Sequence, residues 1–505
     1  MRKTSISLLF ILLLNQFPNR SFAQDLTPIQ DSVYSEVLKE SRKLKIYLPS
    51  DYKPESTSKY DVIYVLDGDW NNTKVTINAQ QFLQRERFMP AAIIVAINNT
   101  YVGGVNYRDR DFTPTQIQGR LLPGYAGTFL SFLKKELVPY INKTYPSTGE
   151  GTLFGHSLGG LFAMYAFLNE PDLFQSYLVA DPSFWWDNNY MTAYTRKKLD
   201  SLQGVKKSIF ICGRGGRQSA GMGIPSIDSV LKEKAPAGLI WKNVDYPGET
   251  HNSLQYKAVY DGLKFFYTGY GTSSIKIHPM NGVVLKNKPA KVWFDGDPGT
   301  VFYTMDGTEP TSRSIPISSE ISINGPAELK VKLMSNRGFD KTLTGQFKEG
   351  KALRSISKPK DLNQGGLKYS YYEGEWDKLP DFKQLTPVKT GTTDKNFTFA
   401  VLPRQNNFAL LFEGYFEISK EGYYTFGMEA DDGARLYLGD QLIIDRDGIQ
   451  SNSNAVSYVL PLEKGFYPFR LEYFVKSGNR ALGVVYVTPD ASEPRPIPLE
   501  IQYSH

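Results

Sequence analysis

The sequence predicts an α/β domain built on a doubly wound, mainly parallel sheet, followed by two all-β sandwich domains. Three observations carry this. Across residues 61–266 short apolar runs alternate with helix-like segments, the order expected when helices cross over between parallel strands. After residues 267–274, which read Tyr-Thr-Gly-Tyr-Gly-Thr-Ser-Ser, helical periodicity nearly vanishes and short alternating strands take over. At 505 residues the chain is also too long for one hydrophobic core, because a single core rarely grows past about 250–300 residues.

The N-terminus reads Met1-Arg2-Lys3, an apolar stretch over residues 6–14, and Ser21-Phe22-Ala23 before Gln24. A charged start, a short apolar core and a small-residue site make residues 1–23 a secretory signal peptide. The apolar core is too short for a permanent membrane span and no cysteine follows to accept a lipid. The expectation is an exported protein, periplasmic or extracellular, with no membrane span. The formal charge is +6; without the cations Arg2, Lys3 and Arg20 of the leader it falls to about +3, with the charges interspersed, which argues against a nucleic-acid partner. The single cysteine, Cys212, lies in an apolar run and reads as core. Cysteine-based metal sites are thereby excluded, and four scattered histidines argue against a zinc centre.

In chain order, strands are expected at 62–66, 91–97, 153–154, 177–180 and 209–213, with a helix over 128–141. The strand ending at Phe154 runs into Gly155-His156-Ser157-Leu158-Gly159 and then an apolar, helix-compatible stretch over 161–168. This Gly-x-Ser-x-Gly pattern between strand and helix is a nucleophile elbow, with glycines where a Cβ would meet the neighbouring backbone. Ser157 is the candidate nucleophile.

A serine hydroxyl needs a base to take its proton. Of the four histidines, His156 sits in the elbow and is expected to point away from Ser157, His278 falls in a later domain and His505 is the last residue. His251, in a polar loop after the strand-like 240–246 and before a helix ending near Phe266, is the candidate base. The acid is open. The loop after 208–213 reads Arg214-Gly215-Gly216-Arg217-Gln218-Ser219 without a carboxylate, the first acid beyond it is Asp228, and Asp181 follows the preceding strand directly. A Ser-His pair without a carboxylate is the third option. For the oxyanion of an acyl-transfer intermediate, one donor is the backbone NH of Leu158. The second is the NH of Asp69 or Trp70, in the Asp67-Gly68-Asp69-Trp70 turn after strand 62–66. Serine first and histidine last is the chain order of α/β-hydrolases.

At this point a family resemblance is visible. Leu48-Pro49, Tyr64-Val65-Leu66-Asp67-Gly68-Asp69-Trp70, Arg108-Asp109-Arg110-Asp111-Phe112-Thr113-Pro114, Gly155-His156-Ser157-Leu158-Gly159-Gly160, Pro182-Ser183-Phe184-Trp185-Trp186 and His251-Asn252-Ser253 look like the esterase D and enterochelin esterase family. The likeness covers about residues 30–268. It implies an α/β-hydrolase fold and Ser-His catalysis, and makes Arg108, Trp185 and Trp186 candidate substrate-binding side chains. Members of that family act on siderophore trilactones, feruloyl and acetylxylan esters and thioesters, or transfer mycolyl groups. Many carry a glutamate shortly after the strand that is 208–213 here, where this chain has glycines and arginines.

Residues 275–348, with Val301 to Thr304 running into Asp306-Gly307, resemble the small immunoglobulin-like module of chitobiase-type enzymes. Residues 365–503, with Tyr369-Ser370-Tyr371-Tyr372-Glu373-Gly374-Glu375-Trp376 and Ala430-Asp431-Asp432-Gly433-Ala434-Arg435-Leu436, resemble the protective-antigen-type (PA fourteen) domain. That resemblance implies glycan binding, with Asp431 and Asp432 at the positions of a calcium-binding aspartate pair, a chemistry adjacent carboxylates suit. The domains expected are therefore 1–23 signal, 24–270 hydrolase, 275–348 and 365–503 sandwiches.

The expected function is a secreted serine carboxylic-ester hydrolase working through an acyl-enzyme, needing no cofactor for catalysis, on small-molecule or carbohydrate-linked esters of acetyl or feruloyl type. A siderophore trilactone is the rival substrate. A non-catalytic exported protein that holds glycans is the reading of another class.

Overall fold

The computed structural model of the chain describes residues 27–55, 57–271, 275–296, 301–393, 402–449, 455–477 and 482–505. The secretory signal expected at 1–23 lies outside these. The chain divides into two compact units, Met1–Phe266 and Tyr267–His505.

The first unit is built on eight strands: β1 (Ile29–Ser35), β2 (Glu40–Tyr47), β3 (Tyr60–Val65), β4 (Ala92–Ile97), β5 (Ser147–His156), β6 (Ser176–Ala180), β7 (Ser208–Gly213) and β8 (Ile240–Asp245). They hydrogen-bond in the order β1-β2-β4-β3-β5-β6-β7-β8. The β1/β2 and β2/β4 pairs are antiparallel and every later pair is parallel. Alternation of side chains across the pleat sends Val62, Tyr64 and Leu66 into one core, while Ile63 and Val65, equally buried, face the opposite side. Both faces are therefore covered, and that is why the central strands read as unbroken apolar runs. One cover is α1 (Asn71–Arg85), which packs against the last helix of the unit, Leu254–Phe266. The other includes α2 (Leu158–Asn169), which is buried on all faces apart from Tyr165 and Asn169 and so shows no polar stripe.

The expected helix over 128–141 is found as Ala126–Phe132 and Val138–Thr144, joined by a π turn at Leu133–Leu137. Strand β5 starts six residues earlier than expected. Its exposed Thr148, Gly149 and Glu150 break the apolar run that marks the rest.

The second unit is all β among its described elements apart from two 3-10 turns. Its two larger hydrophobic cores among the described residues lie around Ile277, Val292, Leu329 and Val331 and around Phe408, Phe426, Leu436 and Leu471. These correspond to the two expected sandwiches, but the modules are not separate. Strand Asn281–Leu285 pairs in parallel with Lys341–Gly350 on one side and with Val456–Leu462 on the other, so one nine-stranded sheet runs through both. Residues 349–364, between the two expected sandwiches, are likewise laid down as structure, with Leu353 bridging to Leu462 and Ile356 to Phe466. Isolated sequence patterns show each module's alternation and carry no sign of an edge strand being shared.

Candidate active site

The elbow forms where β5 ends and α2 begins. Ser157 sits between them at φ 59 and ψ −117, a positive-φ conformation that costs a non-glycine residue energy. Its NH donates to Ala180 O (3.0 Å) and its carbonyl accepts from Ser183 and Leu161 (both 3.0 Å), which fixes the strained turn from both sides. Gly155 is required: a Cβ there would stand 2.0 Å from Gly159 O. Gly159 is not, since a Cβ there would meet nothing closer than 3.4 Å, at Asp67 Oδ2. The tighter neighbour is Gly160, at 3.1 Å from Pro182 Cα.

Asp181 is the residue that meets His251. Its carboxylate is fully buried at the end of β6, and Oδ2 lies 2.6 Å from His251 Nδ1. A carboxylate can only accept, so Nδ1 carries the proton and Nε2 is left with the lone pair a base needs. Asp228, the other candidate acid, is a correction: it lies on the helix Ile224–Lys234 and pairs with Lys232 one turn on (2.7 Å). No loop acid was needed, because the end of β6 already brings a carboxylate under the histidine loop.

Ser157 and His251 line one cleft of about 340 Å³ together with Trp70, Asn71, Asn72, Arg108, His156, Asn252 and Gln255. The Ser157 hydroxyl is turned to Ser183 Oγ (3.2 Å) rather than to the imidazole. Catalytic hydrogen bonds commonly tighten only with substrate bound.

His156, expected to point away from Ser157, makes its contacts with His251 and Gln255. Its ring packs on that of His251, with centroids 4.3 Å apart. Gln255 Nε2 donates to His156 Nδ1 (3.1 Å), which makes Nε2 the protonated nitrogen, and that nitrogen donates to the backbone carbonyl of His251 (2.7 Å). Burial, then the neighbouring His251 and to a lesser degree Arg108, push the His156 imidazole down to about 3, so it is neutral at any ordinary pH.

The turn after β3 is strapped from several directions. Gly68 NH donates to Ile97 O and Trp70 NH to Asp67 O (both 2.9 Å). Trp70 is thereby corrected as an oxyanion donor, since its NH is spent within the turn, although its side chain lines the cleft. Among the described residues, the amides of Asp67 and Asp69 in this turn have no backbone carbonyl partner, so Asp69 keeps its place as the expected second donor. Leu158, the other expected donor, stands at the first position of α2, where helix NH groups lack intrahelical partners.

Arg108 is committed to this turn. Its Nε and Nη2 bind the two oxygens of Asp67 (2.6 and 3.1 Å), Nη2 also donates to His156 O (3.1 Å), and the guanidinium lies 5.0 Å from the centre of the Trp70 ring. Its neighbours in the same segment serve the fold: Arg110 and Asp111 form a buried ion network with Arg42 and Glu40. The two tryptophans are corrected. Trp186 is 1% exposed and donates to Thr115 O at 3.2 Å, so it is core. Trp185 is exposed and lines none of the cleft around Ser157.

The aspartate pair at which calcium is expected, Asp431 and Asp432, directly follows the strand Gly422–Ala430. Asp432 is buried and its Oδ2 accepts from the NH groups of Lys476 (2.9 Å) and Ser477 (3.4 Å). Nearby Asp445 and Asp447 are paired with Arg435 (both 3.1 Å). Among the described residues no group of three or more His, Cys, Asp or Glu is placed to hold a metal. The Asp-Asp-Gly sequence serves as a turn whose carboxylate caps backbone.

Residues 35–210 match the esterase family and residues 363–500 the PA14 domain. The chain carries an esterase-family domain followed by a PA14 domain. Ser157 and Asp181 lie inside the esterase match and His251 beyond its end. The esterase part is similar to the ferri-bacillibactin esterase of Bacillus subtilis, 31% identical over 188 residues, which are 33% of this chain and 62% of that protein. It is also similar to the siderophore triacetylfusarinine C esterase of Aspergillus fumigatus, 28% identical over 152 residues, 29% of this chain and 52% of that protein. Among solved structures, an IroE-like serine hydrolase from Shewanella oneidensis is 30% identical with a TM-score of 0.43, covering 48% of this chain and 80% of that one. The match to the two curated relatives thus spans about half to three-fifths of their lengths. No described helix of the chain is long and apolar enough to cross a membrane.

Proposed function

We propose that the esterase-family domain is a serine carboxylic-ester hydrolase that works through an acyl-enzyme on Ser157, and that its substrate is a siderophore ester. The observation that carries the chemistry is the 2.6 Å contact between Asp181 Oδ2 and His251 Nδ1 beside the elbow serine. Asp181 holds the imidazole in the tautomer whose Nε2 accepts the Ser157 proton. Ser157 Oγ then bonds to the ester carbon, and the carbonyl oxygen takes up negative charge facing the NH groups of Leu158 and Asp69. The C–O bond to the alcohol breaks as His251 returns the proton to the leaving oxygen. Water, deprotonated by the same His251, releases the acid and restores Ser157.

The siderophore reading is supported by the names of the curated relatives, which are siderophore esterases. Esters carried on carbohydrates are the second reading, supported by the PA14 domain and by export, which the leader-like residues 1–23 suggest. Purified chain, offered an aryl acetate, is expected to turn it over. Ser157→Ala should abolish the rate, Asp181→Asn should lower kcat about 10²- to 10⁴-fold, and Asp228→Asn should leave it unchanged. Equal rates in wild type and Ser157→Ala would leave only a non-catalytic, glycan-holding role. Comparing a catecholate trilactone with acetylated xylan and a feruloylated oligosaccharide decides between the substrates, and faster turnover of either carbohydrate ester would reject the siderophore reading.

A further inference from the structure

We propose that Arg214 is a positioning residue that compensates the charge of Asp181 and thereby sets the pH at which His251 acts as a base. The proposal rests on the Ser157-His251-Asp181 reading above. Arg214 follows the last residue of β7, in the loop where the sequence lacks the expected acid. Its Nε lies 2.6 Å from Asp181 Oδ2, the same oxygen that His251 Nδ1 approaches at 2.6 Å. One buried carboxylate oxygen thus serves a permanent cation and the imidazole together, while Oδ1 is buried without a hydrogen-bond partner.

The loop is built to hold the guanidinium there. Gly215 (φ 75) and Gly216 (φ 52) turn the chain in conformations that suit glycine. Ser219 Oγ clamps the turn, accepting from Gly215 NH (2.7 Å) and donating to Asp245 (3.1 Å). A Cβ on Gly213 would stand 2.4 Å from that oxygen, so the approach to Arg214 is fixed on both sides. Asp181 itself is pinned by its NH on Cys212 O (2.8 Å) at the end of the same strand.

The electrostatic consequence follows from the other groups around His251. His156 against its ring is neutral. Arg108 is paired with Asp67. Glu249, on the histidine loop, is held by Lys257 and Ser253, and Asp245 faces the Gly215–Ser219 turn. The charge in contact with the imidazole's Nδ1 is therefore that of Asp181, and Arg214 is paired with the same carboxylate oxygen. A carboxylate alone would stabilise the imidazolium strongly, whereas a carboxylate shared with a guanidinium stabilises it less. Removing the guanidinium is therefore expected to strengthen the hold of Asp181 on the imidazolium.

The test is the pH profile of kcat/KM for the full chain on an aryl acetate, whose acid limb reports the free-enzyme base. Arg214→Gln is expected to move that limb up by roughly one pH unit, and Arg214→Lys, which returns a cation, to bring it back toward wild type. With four histidines in the chain, ¹³C-labelled histidine rings report the His251 titration directly, so a poorly active variant is still informative. A limb and a ring titration that stay at the wild-type pH in Arg214→Gln, or move down, overturn the proposal. An unchanged rate in Ser157→Ala would instead remove the reading on which it rests.

Discussion

His156 shows how much of this site rests on one neutral side chain. Between Gln255 and the His251 carbonyl both of its nitrogens are used, and its low proton affinity keeps a positive charge away from the imidazolium that forms on His251 during acyl transfer. The same burial couples it to stability. Its folded value, about 3, is depressed below that of an unfolded histidine near 6.5. The unfolded chain therefore binds a proton that the folded chain refuses between those limits. Stability from this group is fully present above pH 6.5 and is lost as the pH falls toward 3, by up to about 1.4 kcal/mol per pH unit. Urea unfolding at pH 7 and pH 4.5 should show His156→Gln losing less stability on acidification than wild type. Equal losses would mean that His156 is not held neutral. Nothing in the sequence around His156 marks this role, because Gln255 lies 99 positions away. Ser157 and His251 were legible from a local pattern and from elimination; Asp181 was one of two carboxylates that spacing alone could not rank.

Among the elements, the strand-turn-helix at β5 and α2 carries the most information per residue. Its glycines are unequal, which the pattern alone hides. Gly155→Ala forces a Cβ to 2.0 Å from backbone that cannot yield, and it should cost several kcal/mol or prevent soluble folding. Gly159→Ala places the methyl at ordinary contact, 3.4 Å from Asp67 Oδ2, and should leave the melting temperature within a few degrees of wild type. Comparable melting of the two variants would contradict the elbow geometry. The turn after β3 behaves in the same way: a Cβ on Gly68 would stand 2.6 Å from Ile97 N. That close approach to the backbone, with Arg108 bridging Asp67 and His156 O, fixes the turn that carries Asp69. The sequence marked Arg108 as a residue to contact substrate, yet its hydrogen bonds go to the protein.

At the level of the whole chain, the second unit departs furthest from the plan of separable modules. Val456–Leu462 is covered along part of its edge by Asn281–Leu285, and Tyr423 Oη donates to Lys288 O (2.6 Å) and accepts from Leu285 NH (2.7 Å). Removing residues 267–362 would uncover a strand edge and remove both hydrogen-bond partners of the Tyr423 hydroxyl. A fragment 363–505 is expected to melt several degrees below fragment 267–505, or to associate through the freed edge, as read by thermal unfolding and light scattering. Identical melting and monodispersity of the two would mean that the shared sheet contributes nothing to stability.

By itself the sequence determined what local chemistry dictates: the alternation of strands and helices, the elbow at Ser157, the histidine loop and the change to all-β structure near residue 270. Each is written within a few residues, in apolar period, glycine placement or turn chemistry. Only the tertiary structure decided the rest, because it depends on groups far apart in the chain. Arg214, from the end of the adjacent strand, and His251 reach the same oxygen of Asp181, Arg108 closes on Asp67 across 41 positions, and strand 281–285 finds its partner at 458 and 459. Buried charge and unpaired backbone are costly enough to select such partners, but only the folded sheet brings them within hydrogen-bond reach.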